Sequence, residues 1–403
     1  MSRPRLLMLT PQLPWPPAQG TALRNWGLFR GLSACADLTL LSFVAPWQEP
    51  RVPEAIAARA EQVVLVEQPH RSRGERLRQL LSERRPDLAL RLRSRRFAEA
   101  LARLLDDRSF DWVQVEGLEL GLYLEQAAAH PSAPRILFDD HNCEYLLQKR
   151  VWQVDRRHPR RWIGAAYSAV QWRRLARYEA ALMRLAALTV AVSQPDAAAL
   201  RAIAPTVEPL VIPNGIFYEA YAGGGPRAPL EPPAFVFTGT MDFRPNVDGL
   251  LWFADEVWPH IRARLPSARF YVVGRRPHPR LQALHRREGI VITGEVDDAR
   301  AYIRAATVYL IPLRMGGGTR LKVLEAAAIG VPIVSTTFGA DGFPEAETAL
   351  LLADEPRHFA EQAVRLAQDE EARRRWAARA QAFARRYDWS RLLPPLYRRL
   401  GCA

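Results

Sequence analysis

The chain has 403 residues, 48% hydrophobic and 25% charged, which excludes a disordered or collagen-like chain and leaves room for two or three globular domains. Its three cysteines, Cys35, Cys143 and Cys402, are far apart in sequence and form no Cys-x-x-Cys or Cys/His cluster, which indicates neither a disulfide framework nor a zinc site and fits a reducing cytosol. The formal net charge of +13 is nearly all arginine, because Lys149 and Lys322 are the only lysines, and it favours anionic partners: nucleic acid, an anionic membrane surface or phosphorylated substrates.

The opening apolar run is broken at once by prolines. It is too short for a secretion signal and reads as a first strand. No stretch approaches the ~18 apolar residues of a membrane span. Short β-rich runs follow at 5–10, 38–44, 62–67, 111–116, 135–140 and 188–193, with helical patterns between them. Apolar runs without polar alternation suit strands buried on both faces, joined in parallel by crossover helices. In such sheets ligands bind beyond the carboxyl ends of the strands. After the first strand, "GTALRN" offers Gly20 and Thr21 as backbone close to a ligand, with Arg24 a turn further on; the same residues also suit an ordinary strand-to-helix turn. "DDHNCEY" ends another strand. Its Asp139, Asp140, His141, Asn142 and Glu144 read either as a helix-capping cluster or as a site in which His141 orients a hydroxyl or acts as a base. Asp139 and Asp140 lack a third ligand at useful spacing, so no metal is expected there.

Two stretches are densely basic: 71–105, opening at Arg71, and 149–179, opening at Lys149. The second interleaves Trp152, Trp162, Tyr167 and Trp172. Arginine with Trp and Tyr suits a helix lying on an anionic membrane, or single-stranded nucleic acid, and equally a solvated helix with its apolar face packed inward.

Residues 214–233 are rich in proline and glycine and read as a linker, with no helix or strand. The domains are therefore 1–213 and 234–403, the last helix of the second being expected to pack back on the first. Further runs at 234–240, 268–274, 290–294, 308–313, 332–337 and 350–354 repeat the strand–helix alternation, so each half reads as a doubly wound α/β domain, the two facing across a cleft. After the 308–313 run come Gly316, Gly317 and Gly318, Thr319 as N-cap, and a helix that Gly330 ends. Arg320 and Lys322 fall in its first turn, where the helix dipole disfavours cations. A bound phosphate resolves that conflict, because strand, glycine turn and helix N-terminus form an anion site. Glu325, two turns past the loop, then faces ribose hydroxyls. Solvated cations and a Glu325–Lys322 pair are the alternative.

The segment "GGGTRLKVLEAAAIGVPIVSTTFGADG" resembles the donor-binding segment of the family 4, group 1 glycosyltransferases with the GT-B fold. "FTGTMDFRPNVDGLLWF", "VVGRRP", "ITGEVDD", "RYDWSRLL", and in the first half "DDHNCEY" and "AVSQPDAAAL", resemble other stations of that family in the same order. The resemblance implies a retaining, hexosyl-type transfer from a nucleotide-diphosphate sugar, without cofactor or metal. It places the donor on the C-terminal domain and a glycan or lipid-linked acceptor on the N-terminal one. Activity would sit in the cytoplasm, peripheral on the inner face of the membrane, in cell-envelope or exopolysaccharide synthesis, with no nucleic acid as partner. It implies His141, Glu144, Arg320 and Lys322 as catalytic residues. Donor-binding residues would be Gly20, Thr21, Gly239, Arg244, Gly274, Arg275, Glu295, Gly317, Gly318, Thr319, Arg320, Lys322 and Glu325. Glu325 matches the second glutamate of the family's Glu-x7-Glu motif, whereas Gly317 replaces the first. The departure makes a nucleotide-sugar-binding protein without catalysis one alternative, and an arginine-rich nucleic-acid binder is another. The family's Arg and Lys after the first strand of the second domain lack exact counterparts here: Thr240 and Pro245 stand near those places, and Arg244 is adjacent.

Overall fold

The computed structural model describes residues 3–17, 20–156, 162–315 and 320–402. The chain forms two compact units, Met1–Pro213 with Leu392–Ala403, and Asn214–Arg391.

In the first unit seven strands run in the order β3-β2-β1-β4-β5-β6-β7. They are β1 (Arg5–Thr10), β2 (Asp37–Val44), β3 (Gln62–Glu67), β4 (Trp112–Glu116), β5 (Arg135–Asp140), β6 (Leu188–Ala191) and β7 (Leu210–Val211). All pairings are parallel, and β1 sits between β2 and β4 with Leu7 opposite Thr39 and Val113. The strand order reverses there, so this is the switch point at which doubly wound sheets bind ligands. Leu7, Leu41, Phe43, Phe97, Val113 and Phe138 make the centre of the core. The two-residue β7 escaped the sequence reading, because proline-flanked "LVI" is too short to carry a period. The C-terminal helix Pro394–Leu400 belongs to this unit. Tyr397 Oη donates to Gly31 O at 3.0 Å, and Trp112 Nε1 donates to Leu400 O at 3.2 Å.

The second unit has six parallel strands in the order β10-β9-β8-β11-β12-β13. They are β8 (Ala234–Thr238), β9 (Arg269–Val273), β10 (Ile290–Gly294), β11 (Val308–Ile311), β12 (Ile333–Ser335) and β13 (Leu351–Leu352). Phe235, Phe237, Phe253, Phe270, Leu310 and Phe359 fill its core. Its order reverses between β8 and β11, and the helix Leu321–Ile329 follows β11. Residues 214–233 are not a free linker but the start of this unit. Ile216 bridges to Asp388, and the helix Glu219–Ala222 packs against the helix Leu321–Ile329. Proline and glycine there shape a folded entry to the sheet.

Candidate functional site

At the carboxyl edge of the second sheet, β8, β9 and β10 each lead into or end on a glycine: Gly239, Gly274 and Gly294. The chain stays paired past the strand ends, with Gly239 N donating to Val273 O at 3.0 Å and Gly274 N to Gly294 O at 3.1 Å. Gly274 has φ 151°, and a Cβ there would lie 1.7 Å from Gly239 O, so only glycine fits. A Cβ on Gly294 would meet nothing within 4 Å, so the edge is open at that point.

Lys322 reaches into this row from the first turn of the helix Leu321–Ile329. Its Nζ donates to Thr238 O at 2.9 Å and Asn246 Oδ1 at 3.3 Å, and lies 3.9 Å from the Phe237 ring centroid. Those partners are all neutral. Burial pushes its pKa from 10.5 to about 7, with Glu325 opposing and Arg320 reinforcing the shift. Glu325 sits on the same helix with its pKa raised by burial; Lys322 and the hydroxyl of Tyr221, which donates to Oε1 at 3.3 Å, act against that rise. Arg320 precedes the helix rather than standing in its first turn, correcting the sequence expectation. It is buried, with its guanidinium 5.2 Å from the Phe338 ring centroid, and burial lowers its pKa, Asp341 opposing. Gly330 ends the helix in the left-handed conformation, φ 87°. Gly316, Gly317, Gly318 and Thr319 lie outside the described residues.

The other donor-side residues are more peripheral. Arg244 opens the helix Arg244–Trp252, exposed, on the wall of a 560 Å³ pocket that also includes His278 and Arg280. Arg275 is half-buried, its carbonyl accepting from Met241 N at 2.9 Å, and Glu295 is exposed beyond Gly294. Sequence reasoning missed Asn246, Thr238 and Tyr221. The first two reveal themselves only through Lys322, and Tyr221 lay in the supposed linker.

In the first unit, Gly20 and Thr21 are the first two residues of the helix Gly20–Leu32, not a turn before it. Arg24, on that helix, is 2% exposed and forks onto Asp139, with Nε 2.7 Å from Oδ2 and Nη2 2.5 Å from Oδ1, while Nη1 donates to Ile212 O at 3.0 Å. It is committed to the fold, which removes it as a ligand for donor phosphate. Burial would raise the Asp139 carboxyl, but Arg24 holds it well below the usual carboxylate range. His141 Nε2 lies 2.8 Å from Glu116 Oε2 and 3.3 Å from Asp139 Oδ2. Burial opposes its charge, yet those two carboxylates raise its pKa to about 10. The two carboxylates thus favour the imidazolium, which suits His141 to donating a hydrogen bond more than to acting as a base.

Glu116, Asp139 and His141 bring ligand-type atoms within 4.8 Å of one another, and Glu116 is the third partner that sequence spacing did not reveal. The Arg24 fork and the imidazolium proton already engage these oxygens, so the cluster fits an ion-pair lock better than a metal centre. Beside it, Asp140 is buried, and both its carboxyl oxygens lack hydrogen-bond partners among the described residues. Burial and the nearby Glu179 push its pKa well up, which favours the neutral acid. The capping reading of "DDHNCEY" is corrected too. Cys143 precedes the helix Glu144–Asp155 without a side-chain cap, and Glu179, from the helix Trp162–Leu185, accepts from Glu144 N at 2.7 Å and Tyr145 N at 3.0 Å. Glu144 faces a pocket of 810 Å³ shared with Thr21, and burial and Glu119 raise its pKa to about 7.

Two family models match the chain: Glycosyltransferase Family 4 over residues 53–219, and Glycosyl transferases group 1 over residues 232–369. A phosphatidyl-myo-inositol mannosyltransferase of Mycolicibacterium smegmatis is 29% identical over 191 residues, 44% of this chain and 48% of that protein. The match thus spans about half the length of that relative. Among solved structures, HepE of Anabaena in complex with UDP superposes with a TM-score of 0.66 at 14% identity, covering 99% of this chain and 100% of that one. WaaG, a glycosyltransferase involved in lipopolysaccharide biosynthesis, does so with a TM-score of 0.62 at 15% identity, covering 98% and 99%. Likeness at these identities carries the fold, and the fold is GT-B.

Proposed function

The chain belongs to the family 4, group 1 glycosyltransferases, and from that premise we propose that it moves a sugar from a nucleoside-diphosphate sugar to an acceptor, with retention at the anomeric carbon. The observation that carries this reading is Lys322: an amine whose hydrogen-bond partners among the described residues are all neutral, at the switch point of the sheet, against a row of close-packed strand-end glycines. A diphosphate seated there supplies the charge that the amine lacks. Lys322 and Arg320 then stabilise the leaving diphosphate as the glycosidic bond breaks, and Glu325 accepts from a ribose hydroxyl. HepE has been solved with UDP and with UDP-glucose, which supports a nucleotide sugar as donor. The leaving phosphate takes the acceptor's proton. His141 donates to a hydroxyl and orients it.

Among the described residues no helix is long and apolar enough to cross a membrane. The basic, Trp-bearing helices support peripheral attachment and a lipid-linked glycan acceptor, in cell-envelope or exopolysaccharide synthesis. The test is a thermal-shift screen over UDP-, GDP- and ADP-sugars, followed by transfer assays and determination of the product anomer. One nucleotide should raise the melting temperature by mass action. The double variant Arg320→Gln/Lys322→Gln should fold at least as well and transfer at least ~100-fold more slowly, the scale of losing a preorganised charge stabiliser. No shift with any nucleotide overturns the reading.

A further inference from the structure

The pocket at the carboxyl edge of the first sheet has the size of a small-molecule site, 810 Å³ against roughly 300–1,000 Å³ for such sites. Three features of its wall define what fits. The first is Gln171, 3% exposed, whose Oε1 accepts from Asp87 N at 2.9 Å while Nε2 has no hydrogen-bond partner among the described residues. A buried amide N–H without an acceptor is a costly feature in a folded protein, and on a residue that lines a pocket it leaves a hydrogen bond for a ligand oxygen to complete. The second is Trp47, a pocket-wall residue left 63% exposed, an apolar ring on which the C–H face of a sugar stacks.

The third is charge. The three arginines of the wall are already matched by carboxylates of the same wall. Arg71 and Arg76 both pair with Asp87, Arg76 at 3.0 Å, and Arg91 pairs with Glu119 at 3.0 Å. Glu144 adds a third carboxyl group, so three guanidinium groups face three acids on a chain whose net charge is +13. A phosphorylated headgroup would gain no free cation here and would face those acids. A neutral polyol meets no such repulsion: its hydroxyl oxygens accept from Gln171, and its hydroxyl protons go to the carboxylates.

We propose that this pocket binds the acceptor through a neutral saccharide ring, stacked on Trp47 and hydrogen-bonded by Gln171, and not through a phosphate group. Its role as acceptor subsite rests on the glycosyl-transfer reading; the binding itself does not. The test is saturation-transfer NMR on the full chain with a panel of neutral methyl hexosides and N-acetylhexosaminides, in competition with inorganic phosphate, beside a titration of UDP and GDP. At least one glycoside should bind, phosphate should not displace it, and binding should weaken about tenfold or more in Trp47→Ala and in Gln171→Glu, which keeps the acceptor for Asp87 N and removes the donor. Trp47→Ala changes an exposed side chain and keeps the test open if the Gln171 variant does not fold. No glycoside binding, binding unchanged in Trp47→Ala, or displacement by phosphate overturns the proposal. Nucleotide binding without any glycoside binding sinks this inference alone, and glycoside binding without nucleotide binding sinks the donor reading alone.

Discussion

Lys322 is an amine whose charge the free protein disfavours. Its folded pKa, about 7, lies below its value of 10.5 in the absence of burial, so between the two the unfolded chain binds the extra proton. The contribution of this residue to stability therefore rises with pH from about 7 towards 10.5, and its penalty is fully present below 7. A bound diphosphate reverses the preference by favouring the ammonium. At pH 8 nucleoside-diphosphate binding should thus take up a proton, seen calorimetrically as a heat that depends on the ionisation enthalpy of the buffer. Lys322→Gln should abolish that uptake; an undiminished uptake would assign it to another group. Arg24 makes a contrasting case, since its partner is inside the protein. Arg24→Met takes the guanidinium fork from the buried Asp139 and leaves it the His141 ring, 3.3 Å away, and should lower stability by about 3–5 kcal/mol in denaturant titration. A change under 1 kcal/mol would mean that solvent reaches Asp139.

Between strand ends the discriminating element is the glycine row. In Gly274→Ala the new methyl overlaps Gly239 O, and the backbone of β8 or β9 must give way. The expected cost is about 1–3 kcal/mol, as for other overpacked sites, together with weaker nucleotide binding because the edge beside Lys322 moves. The same change at Gly294, where a Cβ meets nothing, should leave packing intact and cost only the strain of φ 73°. Comparing the two melting curves separates close approach from backbone conformation. These elements also mark what the sequence made legible. Twelve of the thirteen described strands announce themselves as short, mainly apolar, β-rich runs, because a sheet covered on both faces needs few polar residues. The helix ended by Gly330 is local, so spacing exposes it. The ion-pair lock is not local: Arg24 and Asp139 are 115 positions apart, and Glu116 joins them only because β4 lies beside β5. Tyr221 was hidden because proline and glycine signal an interrupted chain whether or not that chain is packed.

At the scale of the whole molecule the open matter is what the arginine excess serves. Ion pairing absorbs much of it, but one region stands apart. The helices Glu144–Asp155 and Trp162–Leu185 pack along each other, Gln148 Nε2 donating to Ser168 Oγ at 2.9 Å, and near one end they leave Val151, Val154, Trp162 and Ile163 at 47–70% exposure. Arg150 and Arg156 are exposed beside them, and Arg156 lies 4.7 Å from the Trp152 ring centroid. Exposed apolar tips flanked by cations suit the interface of an anionic bilayer, where each basic residue near the surface adds about 1 kcal/mol and each buried large apolar side chain about 1.5–3 kcal/mol. The protein should therefore sediment with phosphatidylglycerol–phosphatidylcholine vesicles and only weakly with phosphatidylcholine alone. Trp162→Glu/Ile163→Glu removes two apolar anchors and adds two like charges, so it should reduce binding by ~100-fold or more while leaving the melting temperature unchanged. High salt should weaken the wild-type interaction without abolishing it, because the apolar share is not screened. Vesicle binding that the double variant retains would move the contact to another surface. Binding to single-stranded DNA with none to vesicles would assign the arginines to nucleic acid, and the steep salt dependence of counterion release would identify it.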